Sequence, residues 1–501
     1  MDAAQTRNGV SDPSELASRA MNFSRDVVDA APPERRALVV LDRDGSRSEW
    51  SFGELAGAAA RAAGTLQARG ARRGDVVLTL VGNRPEWVIT LLACFRIGAV
   101  ALPCTEQLRA ADLRLRLAVA RPRLVVCDER NAGELAAADP DADVLEIPGA
   151  ELTAGEPVPA VELDPRDPCL ITFTSGTAGE PKAVLHGQRY LTGQRLQAEH
   201  WLAPVRDGLA WCTAASGWSK SARNVFVAPW LRGAAALLHD ARFDPEERLA
   251  LLERERVDTL CMAPTEYRVI AKRATLRPLP GLRGLVAAGE ALNPDVLRAW
   301  HEATGLWIRD GYGQTETGQL TAMPRGEPAR PGSMGLALPG VRLDVDDGEL
   351  IADPASVPTF FLRYLGEDED QDRAAASEPW RTGDRVSRDD DGYLHFEARL
   401  DDVIISAGYR IGPFEVESAL VAHAAVAEAA VVAAPDEERG SVVRAVVVLR
   451  DGYAPSDSLA AELQEHVKAQ TAPYKYPRIV EFAAALPKTA SGKVRRAALR
   501  G

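Results

Sequence analysis

From residue 50 onward, apolar runs alternate with amphipathic stretches. Phe52 to Arg69 is rich in alanine and predicts a helix. Asp75 to Val81 is a β-branched run and predicts a buried strand. Pro85 stands where the first turn of a helix tolerates proline. Val100 to Leu102, Ala110 to Ala120 and Leu124 to Cys127 continue as strand, helix and strand. Such alternation implies a mostly parallel sheet with covering helices. It returns between Ala234 and Gly289, with a helix over Pro245 to Arg256 and strands over Thr259 to Ala263 and Gly284 to Ala287. Two α/β subdomains are expected, with no sequence repeat relating them.

Two stretches break the pattern. Asn131 to Asp167, rich in Ala, Asp and Pro, reads as a connector, and the acidic Gly366 to Pro379 reads as an exposed loop. Beyond Asp401 the character changes. Strands are expected over Val426 to Ala433, Ser441 to Leu449 and Arg478 to Phe482, and helices over Glu417 to His423 and Ser458 to Gln470. The predicted fold is therefore α/β. A large N-terminal domain (residues 1–400) of two α/β subdomains plus a β-rich connector precedes a small α+β C-terminal domain (residues 401–501).

Composition removes several function classes. The chain of 501 residues carries 59 basic and 72 acidic side chains, a net charge of −13. That argues against a dedicated nucleic-acid binder, yet leaves anionic small substrates open, because a basic cleft can sit on an acidic surface. The most apolar run, Trp87 to Phe95, ends at Arg96, far short of the ~20 residues that span a bilayer. The N-terminal segment has neither a basic start nor an apolar core, so no secretory signal is expected. Cys94, Cys104, Cys127, Cys169, Cys212 and Cys261 form no CxxC pair and read as reduced thiols of a cytoplasmic protein. Seven histidines without HxxxH spacing make a zinc site unexpected.

Four segments carry candidate chemistry. Thr174-Ser175-Gly176-Thr177-Ala178-Gly179-Glu180-Pro181-Lys182 follows the apolar run Cys169 to Phe173. Glycines admit backbone N–H groups to a phosphate chain, hydroxyls add donors and lysine neutralises charge; a surface turn would have the same composition. It is not a Walker A loop. Asp310-Gly311-Tyr312-Gly313-Gln314-Thr315-Glu316 fails as a dinucleotide fingerprint. It suits stacking of a base and carboxylate binding of Mg²⁺, or simply a tight turn. Trp380-Arg381-Thr382-Gly383-Asp384 offers a carboxylate to ribose hydroxyls, and Arg399-Leu400-Asp401-Asp402 falls where the composition changes. Last, Leu486-Pro487-Lys488-Thr489-Ala490-Ser491-Gly492-Lys493 is a basic tail on an acidic chain, suited to an anion or to solvent.

Taken together and in this order, these motifs resemble those of the adenylate-forming superfamily: acyl-CoA synthetases, adenylation domains and luciferases. Within it the chain is most similar to the medium-chain acyl-CoA synthetases, through GWSKS (217–221), APTEYR (263–268), AGEALNP (288–294) and SAGYRIGPFEVESAL (406–420). The resemblance implies two steps. A carboxylate attacks the α-phosphate of ATP to give an acyl-adenylate and pyrophosphate; the thiol of coenzyme A then displaces AMP. It implies that Thr174, Ser175, Gly176, Thr177, Ala178, Gly179 and Lys182 wrap the triphosphate. Gly289, Glu290, Ala291 and Asp310 to Gln314 would frame adenine and ribose, with Asp384 and Arg399 on the ribose. Thr315, Glu316 and Lys493 would be catalytic, and Glu316 with Thr177 would hold Mg²⁺. Asp401 would be the hinge of a mobile C-terminal domain. Gln107, Ala407, Gly408, Tyr409, Arg410, Arg439 and Lys468 would meet coenzyme A.

The chain departs from the pattern in places. Ala178 replaces a usual hydroxyl residue, and Val341 to Tyr364 is short, which predicts a trimmed hairpin distant from the chemistry. The acyl pocket would lie near Trp218, Ser219 and Ala288, small or apolar positions that favour an uncharged acyl or aryl chain. No aspartate stands between Thr213 and Trp230 to pair a substrate ammonium, while Lys220 and Arg223 could face a second polar group or solvent. Rival readings are a ligase loading an acyl carrier protein, an assembly-line adenylating partner and a non-catalytic nucleotide binder.

Overall fold

The computed structural model describes residues 21–174, 181–290, 292, 294–367, 373, 378–406, 409–436, 439–489 and 493–500. Two seven-stranded, mainly parallel sheets form the large N-terminal domain. In the first, the order is Ile308–Gly311, Gly284–Ala288, Thr259–Met262, Leu209–Cys212, Ala235–His239, Arg36–Leu41 and Arg47–Ser51. In the second it is Arg363–Tyr364, Ala183–Gly187, Pro168–Phe173, Val100–Cys104, Val76–Leu80, Leu124–Asp128 and Asp143–Ile147. Helices cover both, so their central strands are buried on both faces and read as continuous apolar runs. The expected helices appear at Phe52–Ala68, Pro85–Ile97, Ala110–Ala120 and Pro245–Arg254.

A six-stranded sheet follows, ordered Thr321–Ala322, Ser333–Ala337, Leu394–Arg399, Trp380–Arg388, Glu349–Ala352 and Leu343–Asp346. Its central register sets Asp384 opposite Arg399. The smaller C-terminal domain packs the helices Pro413–Ala422 and Asp457–Gln470 against the strands Val426–Asp436, Gly440–Leu449 and Ile479–Phe482. Its own apolar cluster includes Ile404, Val416, Leu420, Val431, Leu463 and Val467.

Two expectations change. The stretch Asn131 to Asp167 is no mere connector. It carries a helix, Ala132–Ala138, and an edge strand, Asp143–Ile147, parallel to Leu124–Asp128. An edge strand with one buried face needs only two well-buried side chains here, Leu145 and Ile147, too weak a signal amid acidic residues. The antiparallel pair Arg36–Leu41 and Arg47–Ser51 precedes the alternation and was not expected. Of the acidic loop, Glu367 and Arg373 form an ion pair, while 368–372 and 374–377 lie outside the described residues.

The helix Phe52–Ala68 shows how closely the large domain is packed. A Cβ at Gly64 would stand 1.9 Å from the Glu156 carbonyl oxygen, whereas one at Gly57 would meet only the Arg61 side chain at 3.5 Å. Alanine normally stabilises a helix interior over glycine by roughly 0.5–1 kcal/mol. Gly57→Ala is therefore expected to raise stability by that amount. Gly64→Ala, in the same helix, is expected to lower it by about 1–3 kcal/mol through overpacking. Urea titration of both variants checks the opposite signs; equal shifts would refute the close contact.

Candidate functional site

Four neighbouring parallel strands of the first sheet end on one side of the molecule: Leu209–Cys212, Thr259–Met262, Gly284–Ala288 and Ile308–Gly311. Ligands of open α/β sheets collect at such carboxyl ends, because the loops there converge. The loops border a cavity of about 1570 Å³. Its walls include Thr174, Lys182, Lys220, Gly289, Glu290, Asp310 to Glu316, Thr382 to Asp384 and Arg399, with Glu417, Lys493 and Arg496 from the C-terminal domain.

Asp384 is the most connected group. Its Oδ2 accepts from Gln314 Nε2 at 2.9 Å and from the Tyr312 hydroxyl, and its Oδ1 accepts from Arg399 Nη1 at 3.1 Å. Burial raises its pKa; the Arg399 charge and the three donors oppose that. Trp380 Nε1 donates to Gln314 Oε1 at 3.0 Å and fixes the amide orientation. The Val341 to Tyr364 segment contains a hairpin that turns at Asp347 and Gly348 with φ of 46° and 78°. It is not distant from the site, however. Glu349 accepts the Gly383 N–H at 2.9 Å, bracing the residue before Asp384.

The cavity floor mixes charges. Burial pushes Asp310 up to about 8, although the Gly311 N–H donates to it at 2.8 Å. Lys220 Nζ donates to the Ala288 carbonyl; burial first, then the charge of Lys493, lower its pKa to about 8. A Cβ on Gly289, whose φ is 102°, would stand 2.2 Å from Lys220 Nζ, so only glycine fits there. Glu290 accepts from Thr265 Oγ1 at 2.8 Å and Arg268 Nη2 at 3.0 Å.

On the opposite wall, Glu316 Oε1 accepts from the Tyr364 hydroxyl at 2.9 Å, and Lys182 Nζ lies 4.9 Å from the Tyr364 ring centre. The Thr174 N–H donates to the Lys182 carbonyl at 2.9 Å, and the Lys182 N–H to Thr174 Oγ1 at 2.9 Å, closing the neck of the Gly-rich loop. Among the described residues no group of three His, Cys, Asp or Glu side chains could hold a metal alone. A single carboxylate facing the cavity beside Thr315 fits Mg²⁺, which binds through one or two carboxylates plus phosphate oxygens and water.

The C-terminal tail reaches this cavity on an anchor. Arg496 pairs with Glu417 at 2.7 Å and Asp402 at 3.4 Å, and Arg500 donates to the Asp401 carbonyl at 2.9 Å. Lys493 is held between them by an antiparallel bridge, Lys488 to Val494, and by its N–H donating to Thr489 Oγ1 at 3.1 Å.

The structure thus gathers Thr174, Lys182, Gly289, Glu290, Asp310 to Glu316, Asp384, Arg399, Asp401, Ser219 and Lys493 around one cavity. Ser175, Gly176, Thr177, Ala178, Gly179, Ala291, Ala407 and Gly408 lie outside the described residues. Trp218 is half-buried against the core and Ala288 is buried beside the cavity floor. Gln107, Tyr409, Arg439 and Lys468 do not line the cavity. Tyr409 stacks on Tyr474 at 4.3 Å, Lys468 lies over the Tyr476 ring, Arg439 sits in a turn closed by Asp436, and Gln107 is exposed. Sequence reasoning missed Tyr364, Trp380, Glu349 and the Arg496–Glu417 anchor. Each acts through a partner distant in sequence, so no local signal marks it.

A chain with two parallel-sheet subdomains and this cavity under a small lid is built as an adenylate-forming enzyme. The model of the AMP-binding enzyme family matches residues 25–358, and that of its C-terminal domain matches residues 415–493. The chain belongs to the AMP-binding enzyme family. It is 39% identical over 526 residues to the mouse acyl-coenzyme A synthetase ACSM4, mitochondrial, covering 96% of this chain and 90% of that one. It is 37% identical over 495 residues to the uncharacterized acyl–CoA ligase YtcI of Bacillus subtilis, covering 94% of each. The solved structure of the anthranilate CoA ligase AuaEII with anthranoyl-AMP matches with a TM-score of 0.87 at 27% identity, covering 98% of each chain. No described helix is long and apolar enough to cross a membrane.

Asp310 gives a pH test. Its folded pKa of about 8 lies above the ordinary carboxylate value. The stability its protonation contributes is complete below the unfolded pKa of ~4 and is lost as pH rises to about 8. Asp310→Asn removes that dependence. The melting-temperature advantage of this variant over wild type is expected to grow from pH 5 to pH 8 and level off above it. A difference independent of pH would refute the shifted titration.

Proposed function

We propose that this chain is an acyl-CoA synthetase that activates a medium-chain or aryl carboxylic acid with ATP and transfers the acyl group to coenzyme A. One observation carries the reading: Lys493 of the C-terminal tail faces the same cavity as the Asp384 hub and Glu316.

In the first step the substrate carboxylate attacks the α-phosphate, the bond to the β-phosphate bridging oxygen breaks, and pyrophosphate leaves. Positioning and charge stabilisation dominate such transfers. Asp384 holds the ribose hydroxyls, with Arg399, Gln314 and Tyr312 keeping its carboxylate oriented. Asp310, Gly311, Gly313, Gly289, Glu290 and Ala291 frame the nucleoside. The loop from Thr174 through Ser175, Gly176, Thr177, Ala178 and Gly179 to Lys182 cradles the phosphates. Glu316 and Thr177 would hold Mg²⁺, which would offset phosphate charge, with Thr315 beside them. Lys493, a mobile point charge on a long stem, stabilises the developing charge between carboxylate and α-phosphate.

In the second step the coenzyme A thiolate attacks the acyl carbon and AMP leaves. The domain of residues 401–501 turns about Asp401, withdrawing Lys493 and presenting Ala407, Gly408, Tyr409 and Arg410. Gln107, Arg439 and Lys468 meet coenzyme A in that arrangement, which fits their positions away from the present cavity. Ser219, Trp218 and Ala288 border the acyl chain. All six cysteines are buried and free, which supports a reducing compartment such as the cytoplasm.

Purified protein supplied with ATP, Mg²⁺ and carboxylic acids from acetate to decanoate plus benzoates tests the reading. Acyl-CoA by mass spectrometry is the expected product. Acyl-AMP without thioester points instead to an acyl carrier protein as acceptor. Lys493→Ala is expected to lower adenylate formation by at least ~100-fold while sparing thioester formation from supplied acyl-AMP. Equal loss of both half-reactions would refute the role of Lys493.

A further inference from the structure

Small and apolar positions at the acyl pocket favour an uncharged chain, but one buried group does not suit that. Arg223 opens the segment Arg223–Val227 and is only 3% exposed. It lines the cavity beside Ser219 and Lys220, and a Cβ on Gly318 would stand 3.6 Å from its Nη1. Arg223 therefore lies under the loop that frames the nucleoside. Its Nε and Nη1 have no hydrogen-bond partner, and it enters no ion pair among the described residues.

The described groups that sense its charge are His186, Tyr190, Lys220 and Cys261, and no carboxylate is among them. His186 is buried with both ring nitrogens unpartnered, and burial with the charges of Arg223 and Arg189 pulls its pKa to about 3, so it stays neutral. The Tyr190 ring lies tilted against His186, with centres 4.0 Å apart. Gln194 is fully buried beside Tyr190. One turn on, Gln197 Nε2 donates to Asn224 Oδ1 at 2.9 Å, tying that polar segment to the residue after Arg223. Lys220, the nearest other cation facing the cavity, already donates to Ala288. A buried guanidinium without a partner costs stability unless an anion completes it. Nothing else in the described chain does so.

We propose that Arg223 determines specificity in the acid pocket by pairing a second anionic group, a distal carboxylate, on the carboxylic acid that is activated. The inference rests on the synthetase reading and narrows its substrate to acids charged at both ends.

The test compares thioester formation from matched acids: butanoate with succinate, hexanoate with adipate, octanoate with suberate. At one length wild type is expected to favour the diacid at least ~10-fold in kcat/KM. In Arg223→Leu the diacid-to-monoacid ratio is expected to fall ~30-fold or more, the size of one lost charged hydrogen bond. Arg223→Lys keeps part of it. The melting temperature of Arg223→Leu is expected to equal or exceed that of wild type, because an unpaired charge has been removed. Preference for monoacids at every length, with the same ratio in Arg223→Leu, overturns the proposal and leaves the ligase standing. So does a lower melting temperature with equal loss on both acids, which marks Arg223 as structural. With no thioester from any acid, the diacid-induced rise in melting temperature decides. A rise in wild type that is lost in Arg223→Leu upholds pairing by Arg223 and overturns only transfer to coenzyme A, and no rise overturns the proposal.

Discussion

The Asp384 carboxylate is the constraint from which the rest of the site follows. A buried carboxylate is costly unless several donors meet it. Here the donors come from the loop after Ile308–Gly311, through Tyr312 and Gln314, and from the neighbouring strand, through Arg399. Moving any of them leaves a buried charge short of a partner. The loop of the first parallel sheet is thereby locked to the six-stranded antiparallel sheet, and the cavity wall is fixed before any ligand arrives. Trp380 and Glu349 extend the same logic outward, one fixing the Gln314 amide and the other the Gly383 backbone.

The lid obeys a different rule. Its anchor, Arg496 to Glu417, lies within the C-terminal domain, and Asp402 shares Arg496 at the edge of the boundary segment. The tail is therefore braced from within its own domain rather than by the large one. What it brings to the cavity is a cation facing another: Lys493 is the leading charge that lowers the pKa of Lys220. Two like charges in a partly desolvated space repel. Phosphates between them would turn repulsion into attraction. On the proposed two-step reading, the docked arrangement would be favoured with the nucleotide's negative charge present and weakened as that charge leaves with pyrophosphate. That is the order a two-step reaction needs.

Much of this was legible in the chain because the motifs that border the cavity are contiguous. Thr174 to Lys182, Asp310 to Glu316, Trp380 to Asp384 and the tail ending at Lys493 each carry their chemistry within about ten residues. The parallel strands were legible too, since burial on both faces leaves an unbroken apolar run. The edge strand Asp143–Ile147 and the pair Arg36–Leu41 with Arg47–Ser51 were not. A strand at the rim buries one face, and its pattern is diluted by surface residues. The supporting contacts were illegible for a second reason. Tyr364 to Glu316 and Arg496 to Glu417 span 48 and 79 residues, and chain closure over such distances leaves no periodicity to read.

Arg223 shows a third kind of gap. Its presence was visible in the sequence, but its meaning lies in what does not surround it, and only packing can reveal that. The chain as a whole is acidic by 13 charges, yet Lys220, Arg223 and Lys493 all line one cavity. Evolution tolerates an uncompensated buried cation where function requires it, because a hydrophobic replacement would serve stability better. A cavity that gathers cations within a low-dielectric wall also draws anions from solution and aligns them. On the proposed reading, substrates would complete the charge balance of this cavity, phosphates on one side and carboxylates on the other.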